Sequence, residues 1–365
     1  MTRSETRIAA LVLALFLPGL AAVFWGSQER AGADRPGPLR GFTQAGAERA
    51  AVIFHGALHL LDAEGRPLAR QPLRELGLAE EPTDMDWTAT PDGRLQAWFF
   101  EDTVPRIVRC DLRATPPGLH ACAQVVAGER LKVNPTSRAV HIAVDPANER
   151  LFVADAQGHA VRALSFQGEV LGQSAAGELL FPNRLRLQAG LLVVADNDHQ
   201  RVVWLDVAPP RPAFRAERSV QLASHPQSSA GRKAADFAFL PAPDGAAPML
   251  WTLAVAQGQK RGRLLAYDAA YAPRGAADQG GHADPLIIDR LGNALLVADF
   301  EGIGYFRVAA DGRFLGAFGQ GAFAEEVQGE RDRVRAGQLW MAVGRAAMVL
   351  ALLVGLALGW RDRRK

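Results

Sequence analysis

One short string recurs in this chain and restricts its fold more than any other feature. Leu151-Phe-Val-Ala-Asp155, Leu192-Val-Val-Ala-Asp196 and Leu295-Leu-Val-Ala-Asp299 are near copies of one another. Each follows a second apolar stretch: His141-Ile-Ala-Val-Asp145, Arg184-Leu-Arg-Leu-Gln188 and Leu286-Ile-Ile-Asp289. Each is followed by a turn and another strand, with an apolar residue six positions after the aspartate, at Val161, Val202 and Tyr305. Short apolar runs bounded by Gly, Asp, Asn and Pro are the pattern of strands and turns.

The first two copies lie about 40 residues apart, and the second and third about 100, which leaves room for one more unit. Weaker copies fill the remaining sequence. One runs from Asp84 through Pro91-Asp92-Gly93 to Cys122, and another from Asp236 through Pro243-Asp244-Gly245 to Asp268. A first unit contains Ala51-Val-Ile-Phe54 and Leu58-His-Leu-Leu-Asp62, with a turn at Glu64-Gly65. A four-stranded unit has two apolar faces and cannot bury both alone; a closed ring of such units buries them all. The reading is an all-β fold, a six-bladed β-propeller over 42–325. A solenoid or a two-sheet sandwich is the alternative, but a sandwich needs no string recurring at this period. Ring closure is expected to bring both chain ends to one blade.

The chain ends carry a different signal. Ile8 to Trp25 and Leu339 to Trp360 are apolar runs long enough to approach the thickness of a bilayer. The first is expected to be an N-terminal transmembrane anchor over 1–26. Its rival is a cleaved signal peptide, since Arg3 and Arg7 form a basic start; the small residues at Ala31-Gly32-Ala33 come late for cleavage. A linker spans 27–41. A charged juxtamembrane segment over 326–338 leads helically into the C-terminal transmembrane helix, 339–360. Its lone charge, Arg345, is placed to snorkel, and a basic tail closes the chain at 361–365. Gly355 with Gly359, and Ala22 with Gly26, have the spacing that lets membrane helices approach closely.

A hydrophobic fraction of 48% supports a sizeable core, and the net charge of +2 leaves no basic stripe for nucleic acid. The two cysteines, Cys110 and Cys122, flank Pro116-Pro117-Gly118, a turn composition. They are read as a disulfide across a hairpin, in keeping with an oxidising compartment, or else as two unrelated thiols. Arginines lie on both sides of the two spans, so charge leans only weakly towards cytoplasmic tails. With the cysteine pair, the expected location is a bacterial inner membrane with the propeller on the periplasmic side. Residues 222–235 read as a solvated excursion between blades. His55 and His59 are spaced to share a strand face, and without a placed carboxylate they read as an ordinary surface or core pair.

The strand, Val-Ala-Asp, turn, strand, Asp-Gly pattern resembles the NHL repeat. The wider pattern is similar to the six-bladed propellers of the gluconolactonase and strictosidine-synthase-like group. The resemblance is strongest over 140–206 and 284–318. In such repeats Asp155, Asp196 and Asp299 organise the following turn by accepting backbone N–H groups. Phe181-Pro182-Asn183 looks like that group's Pro-Asn-Gly segment, and Ala283-Asp284-Pro285 like its Pro-Asp-Gly segment. Asn183 and Asp284 each precede a further polar residue, Gln188 and Asp289, by five positions. The resemblance implies that Asn183 and Asp284, with Asp236 in the fifth unit, offer oxygen ligands to Ca²⁺ or another divalent cation. Arg184 and Pro285 stand where that group has glycine. Val140 and His141 stand where it has a further polar ligand, and Glu48 is the remaining candidate carboxylate. No catalytic residue is assigned. The functional expectation is a non-catalytic platform binding a protein, glycan or small ligand. The alternative is a metal-dependent lactonase or ester hydrolase.

Overall fold

The computed structural model describes residues 3–78, 82–134, 137, 139–222, 232–242, 248–256, 262–282 and 284–362. The turn expected at Pro243-Asp244-Gly245, most of 222–235 and the tail residues Arg363, Arg364 and Lys365 lie outside them. The described residues form six four-stranded antiparallel sheets, each built from consecutive strands. Blade one is β1 Leu39–Gln44, β2 Ala47–Phe54, β3 Ala57–Asp62 and β4 Pro67–Pro72. Blade two is β5 Asp84–Ala89, β6 Leu95–Glu101, β7 Arg106–Arg113 and β8 Gly118–Ala127. Blade three is β9 Val140–Asp145, β10 Arg150–Asp155, β11 Ala160–Ser165 and β12 Val170–Gln173. Blade four is β13 Pro182–Gln188, β14 Leu191–Asp196, β15 Arg201–Asp206 and β16 Arg215–Gln221. Blade five is β17 Arg232–Leu240, β18 Met249–Ala256, β19 Gly262–Tyr267 and β20 Pro273–Ala276. Blade six is β21 Pro285–Leu291, β22 Ala294–Asp299, β23 Gly304–Ala309 and β24 Phe314–Ala317.

The first strands of successive blades touch in a closed cycle, β1 to β5, β9, β13, β17, β21 and back to β1. They therefore line the central channel. The recurring string is the second strand, β10, β14 and β22, and its residues are buried on both sides because neighbouring blades cover both faces. Among the described residues, apolar clusters fill the successive interfaces from blades one and two through to blades five and six. The outermost strands are mostly exposed, as in β20 and β16.

Among the described residues no blade takes strands from both chain ends, so the ring closes through side-chain packing and bonds between loops. Between blades six and one, Phe54 and Tyr305 pack edge to face at 6.2 Å, and Phe323 packs against both. Arg307 Nη1 donates to Ala63 O at 2.9 Å, and Gln320 N to Gly65 O at 2.9 Å. The expectation that both ends meet at one blade thus holds for contacts rather than for shared strands. Gly41 is required at this seam: a Cβ there would lie 1.7 Å from Arg290 O. Within blade two, Cys110 and Cys122 are disulfide-bonded across β7 and β8, with Cα atoms 4.0 Å apart.

Residues 1–34 and 325–365 form a second compact unit. It is built from α1, Arg3–Ala31, and the part of α2, Gly321–Asp362, that follows Ala324. Both helices are long and apolar enough to cross a membrane. They pack antiparallel through glycines. A Cβ on Gly19 would lie 2.8 Å from Gly344 O, and one on Gly337 would lie 2.8 Å from Gly26 O. Gly26 therefore plays the part expected of it. Of the expected Gly355 and Gly359 pair, Gly355 faces Val12, where a Cβ would lie 3.2 Å from Cγ2, whereas Gly359 meets nothing within 4 Å among the described residues; the closest backbone approaches fall at Gly19, Gly26, Gly337 and Gly344. Large apolar side chains point away from the pair: Phe24 is 64% exposed, Leu339 65% and Leu356 71%. Beyond the glycines, Arg333 Nε meets Glu29 Oε2 at 2.8 Å.

Candidate functional site

A strand at the channel wall has one edge without a sheet partner. Its outward N–H groups need acceptors, because unpaired buried donors are costly. Aspartates of the neighbouring blade supply them. Ile142 N donates to Asp84 Oδ2, Val144 N to Asp86 Oδ2 and Ile288 N to Asp236 Oδ2, each at 2.9 Å. Gly41 N donates to Asp289 Oδ2 at 3.3 Å, which joins blade six to blade one.

These carboxylates are neutralised by arginines of the same chain. Arg40 of β1 lies 3.6 Å from Asp86, 3.8 Å from Asp289 and 4.0 Å from Asp84. Arg184 of β13 bonds Asp84 and lies 3.4 Å from Asp236; Arg186 lies 2.9 Å from Asp289. His141 Nδ1 is 3.5 Å from Asp84. Every blade thus contributes a charged or titratable group to one hub, and Arg40, Arg184, Asp84 and Asp236 are almost fully buried.

The hub perturbs its members in opposite directions. Burial works against ionisation of Asp84, but Arg184, His141 and Arg40 outweigh it and hold its carboxyl well below the ordinary range. Asp86 is raised, because burial exceeds the help of Arg40 and the Val144 N–H. Burial and the nearby Arg184 and Arg186 push Arg40 down to about 10. Burial also opposes the charge on Arg184, yet Asp84, Asp236, Asp289 and Asp86 raise it.

Where the inner strands end, the channel opens into a cavity of about 530 Å³. Its polar lining is Thr43, Glu48, Arg186, Gln188, Asp289 and Arg290; Phe42, Phe239, Pro241 and Pro248 line it too. Phe42 is held flat by stacking on Trp87, with ring centroids 4.2 Å apart. Gln188 Oε1 is buried and has no hydrogen-bond partner among the described residues. A second cavity, of about 510 Å³, lies between blades five and six against Met249, Trp251, Arg274 and Ala276.

The residues expected as cation ligands are distributed differently. Asp236 is in the hub, where Oδ1 accepts its neighbour Phe237 N at 2.7 Å and Oδ2 accepts Ile288 N. Asn183 Nδ2 donates to Ala235 O at 3.5 Å. Asp284 precedes β21, and its backbone O accepts Phe300 N at 3.0 Å. Asn183 and Asp284 do not occupy equivalent places. Pro182 pairs with Asp196 and Pro285 with Asp299, so Asn183 follows the paired proline whereas Asp284 precedes it. Among the described residues, no group of three His, Cys, Asp or Glu ligand atoms gathers around Asp236 or Asp284.

The recurring aspartates tie the turn after the second strand to the entry of the first. Asp155 accepts Gly158 N at 2.9 Å and Asn134 N at 2.7 Å. Asp196 accepts Leu180 N at 2.7 Å and meets His199 and Arg201. Asp299 accepts Gly302 N at 3.2 Å and His282 at 2.6 Å. Burial opposes the charge on Asp299, but these two partners hold its carboxyl below the usual range. His55 sits in the β2–β3 turn and His59 is buried on β3, so the two share no strand face.

Sequence reasoning missed Arg40, Asp84, Asp86 and Arg186 as a group. The available signal was charge within otherwise apolar inner strands, as in Arg184-Leu-Arg-Leu and Asp84-Met-Asp-Trp. Buried charge requires a partner, and the partners lie in other blades.

No family model matches the chain, and no curated protein matches it. Its fold is similar to that of a catalytically inactive virginiamycin B lyase from Staphylococcus aureus with quinupristin. The TM-score is 0.50 and the identity 12%, covering 79% of this chain and 85% of that one. A streptogramin B lyase gives a TM-score of 0.50 at 13% identity, covering 80% and 86%. At such identity the likeness is one of fold alone.

Proposed function

We propose that the chain is a membrane-tethered, extracytoplasmic propeller that binds a ligand or protein partner without catalysing a reaction. The observation that carries this reading is the division of the channel into a self-neutralised hub and an open mouth. The hub's cations are the arginines Arg40, Arg184 and Arg186, and the oxygens of Asp236 are engaged by backbone N–H groups and Arg184. The mouth offers a cavity of about 530 Å³, within the range of about 300–1,000 Å³ common for small-molecule sites.

The helix pair supports the tether. An antiparallel hairpin with an apolar exterior suits lipid, and two spans in opposite directions leave both termini on one side and the propeller between them on the other. The disulfide favours an oxidising compartment for the propeller.

Reporter fusions test the topology: a cytoplasm-active reporter should work at both termini and fail when inserted at the exposed turn Asp311-Gly312. Metal analysis of the purified full-length chain tests the absence of chemistry. Retained stoichiometric divalent metal, with a fall in thermal stability on chelation, would instead favour the metal-dependent hydrolase.

A further inference from the structure

The mouth cavity has a donor and acceptor arrangement that points to one class of ligand. Charge comes first: Arg186 and Arg290 face Glu48 and Asp289, two cations against two anions. Arg186 is already bound within the protein, donating to Phe237 O and Ile288 O, both at 2.9 Å, and pairing with Asp289. An anionic ligand would meet Glu48 and Asp289, and a cationic one Arg186 and Arg290. Neither gains a net charge to bind.

The groups still able to bond are of mixed kind. Among the described residues Gln188 Oε1 is buried without a hydrogen-bond partner, and a flip of the carboxamide exchanges the atom turned to the cavity. One oxygen of Glu48 accepts Thr43 Oγ1 at 3.2 Å, which leaves the other available. Arg290 commits Nε to Gly292 O at 2.9 Å and leaves its two terminal nitrogens. An acceptor on Glu48 and donors on Arg290 therefore stand in the same cavity as the Gln188 carboxamide, which can either donate or accept. A hydroxyl group donates and accepts at once, so adjacent hydroxyls match such a set without bringing charge. Phe42, Phe239, Pro241 and Pro248 add apolar surface for C–H groups.

We infer that the mouth of the channel binds a neutral, polyhydroxylated ligand, a short glycan, through Glu48, Gln188 and Arg290 against the wall that holds Phe239. The inference rests on the binding-platform reading and names its ligand class. The site lies where the inner strands end, whereas Asn183 and Asp284 lie at or before their starts.

The test uses the full-length chain in lipid nanodiscs, since detergents with sugar headgroups would compete. Maltose, cellobiose and N,N′-diacetylchitobiose are compared with citrate and putrescine by saturation-transfer NMR and calorimetry. At least one disaccharide should bind with Kd of about 1 mM or tighter. Gln188→Leu and Arg290→Ala should each weaken it about tenfold, as expected for a lost hydrogen bond. Arg290 is exposed, so its variant reads binding even if Gln188→Leu lowers stability. The inference is overturned if none of the three sugars binds at about 10 mM. It is also overturned if binding survives both variants but is lost in Ala276→Trp, which fills the second cavity. Binding of citrate or putrescine, sensitive to Arg290→Ala, would overturn the glycan assignment and leave the platform standing. If no probe binds and crosslinking in the native host finds no partner of the propeller, both readings fall.

Discussion

Arg184, on the inner strand of blade four, hydrogen-bonds Asp84, on the inner strand of blade two, a residue 100 positions earlier. Both are buried in the channel, so the bond ties together two blades that are not neighbours in the ring. Removing one member of a buried pair leaves the other charge uncompensated. Arg184→Met should therefore cost about 3–5 kcal/mol, read by urea unfolding. In a double-mutant cycle with Asp84→Asn, the combined loss should be smaller than the sum.

Asp84 and Asp86 should respond to pH with opposite signs. The folded value of Asp84 is depressed, so its contribution is present above the unfolded value of about 4 and is lost as pH falls. The folded value of Asp86 is raised, so its ionisation opposes folding at neutral pH. At pH 7, Asp84→Asn should lower the Tm, whereas Asp86→Asn should leave it near or above that of the wild type. The Asp84→Asn deficit should narrow as the pH drops below about 4. Thermal scans at several pH values would contradict this if both variants behaved alike.

The seam between blades six and one should be sensitive to a single methyl group. Gly41→Ala places a Cβ against Arg290 O and disturbs the Gly41 N–H bond to Asp289. A loss of about 3 kcal/mol is expected, measured by denaturant midpoint. A wild-type midpoint would mean that the seam relaxes freely.

The disulfide closes a short loop, with a sequence separation of 12. Replacing both cysteines by serine should cost about 3 kcal/mol. In intact cells the pair should resist alkylation until a reductant is added; rapid labelling beforehand would argue against an oxidising compartment.

In the helix pair, Gly344→Leu should separate the helices, because even a Cβ at that position would lie 2.4 Å from Gly19 O. Cysteines at Val12 and Gly355, whose atoms approach closely, should crosslink in the parent and fail to do so in the variant. Undiminished crosslinking would count against glycine-mediated packing.

The second strands were legible in the sequence because they are buried on both faces, which demands an uninterrupted apolar run such as Leu192-Val-Val-Ala. The period of the repeat then implied a ring, since no blade can cover itself. The apolar ends of the chain were equally plain. The outermost strands left little trace, as in Arg215–Gln221, because exposed edges tolerate almost any side chain. Tertiary structure alone decided the hub. Arg40, Asp84, Arg184, Asp236 and Asp289 come from five different blades, and a charge's partner across a channel follows from ring geometry rather than from spacing along the chain. The mouth cavity arises in the same way. Glu48, Gln188 and Arg290, from blades one, four and six, line one cavity only when the ring closes, because local sequence encodes a strand's faces but not which strands meet around an axis.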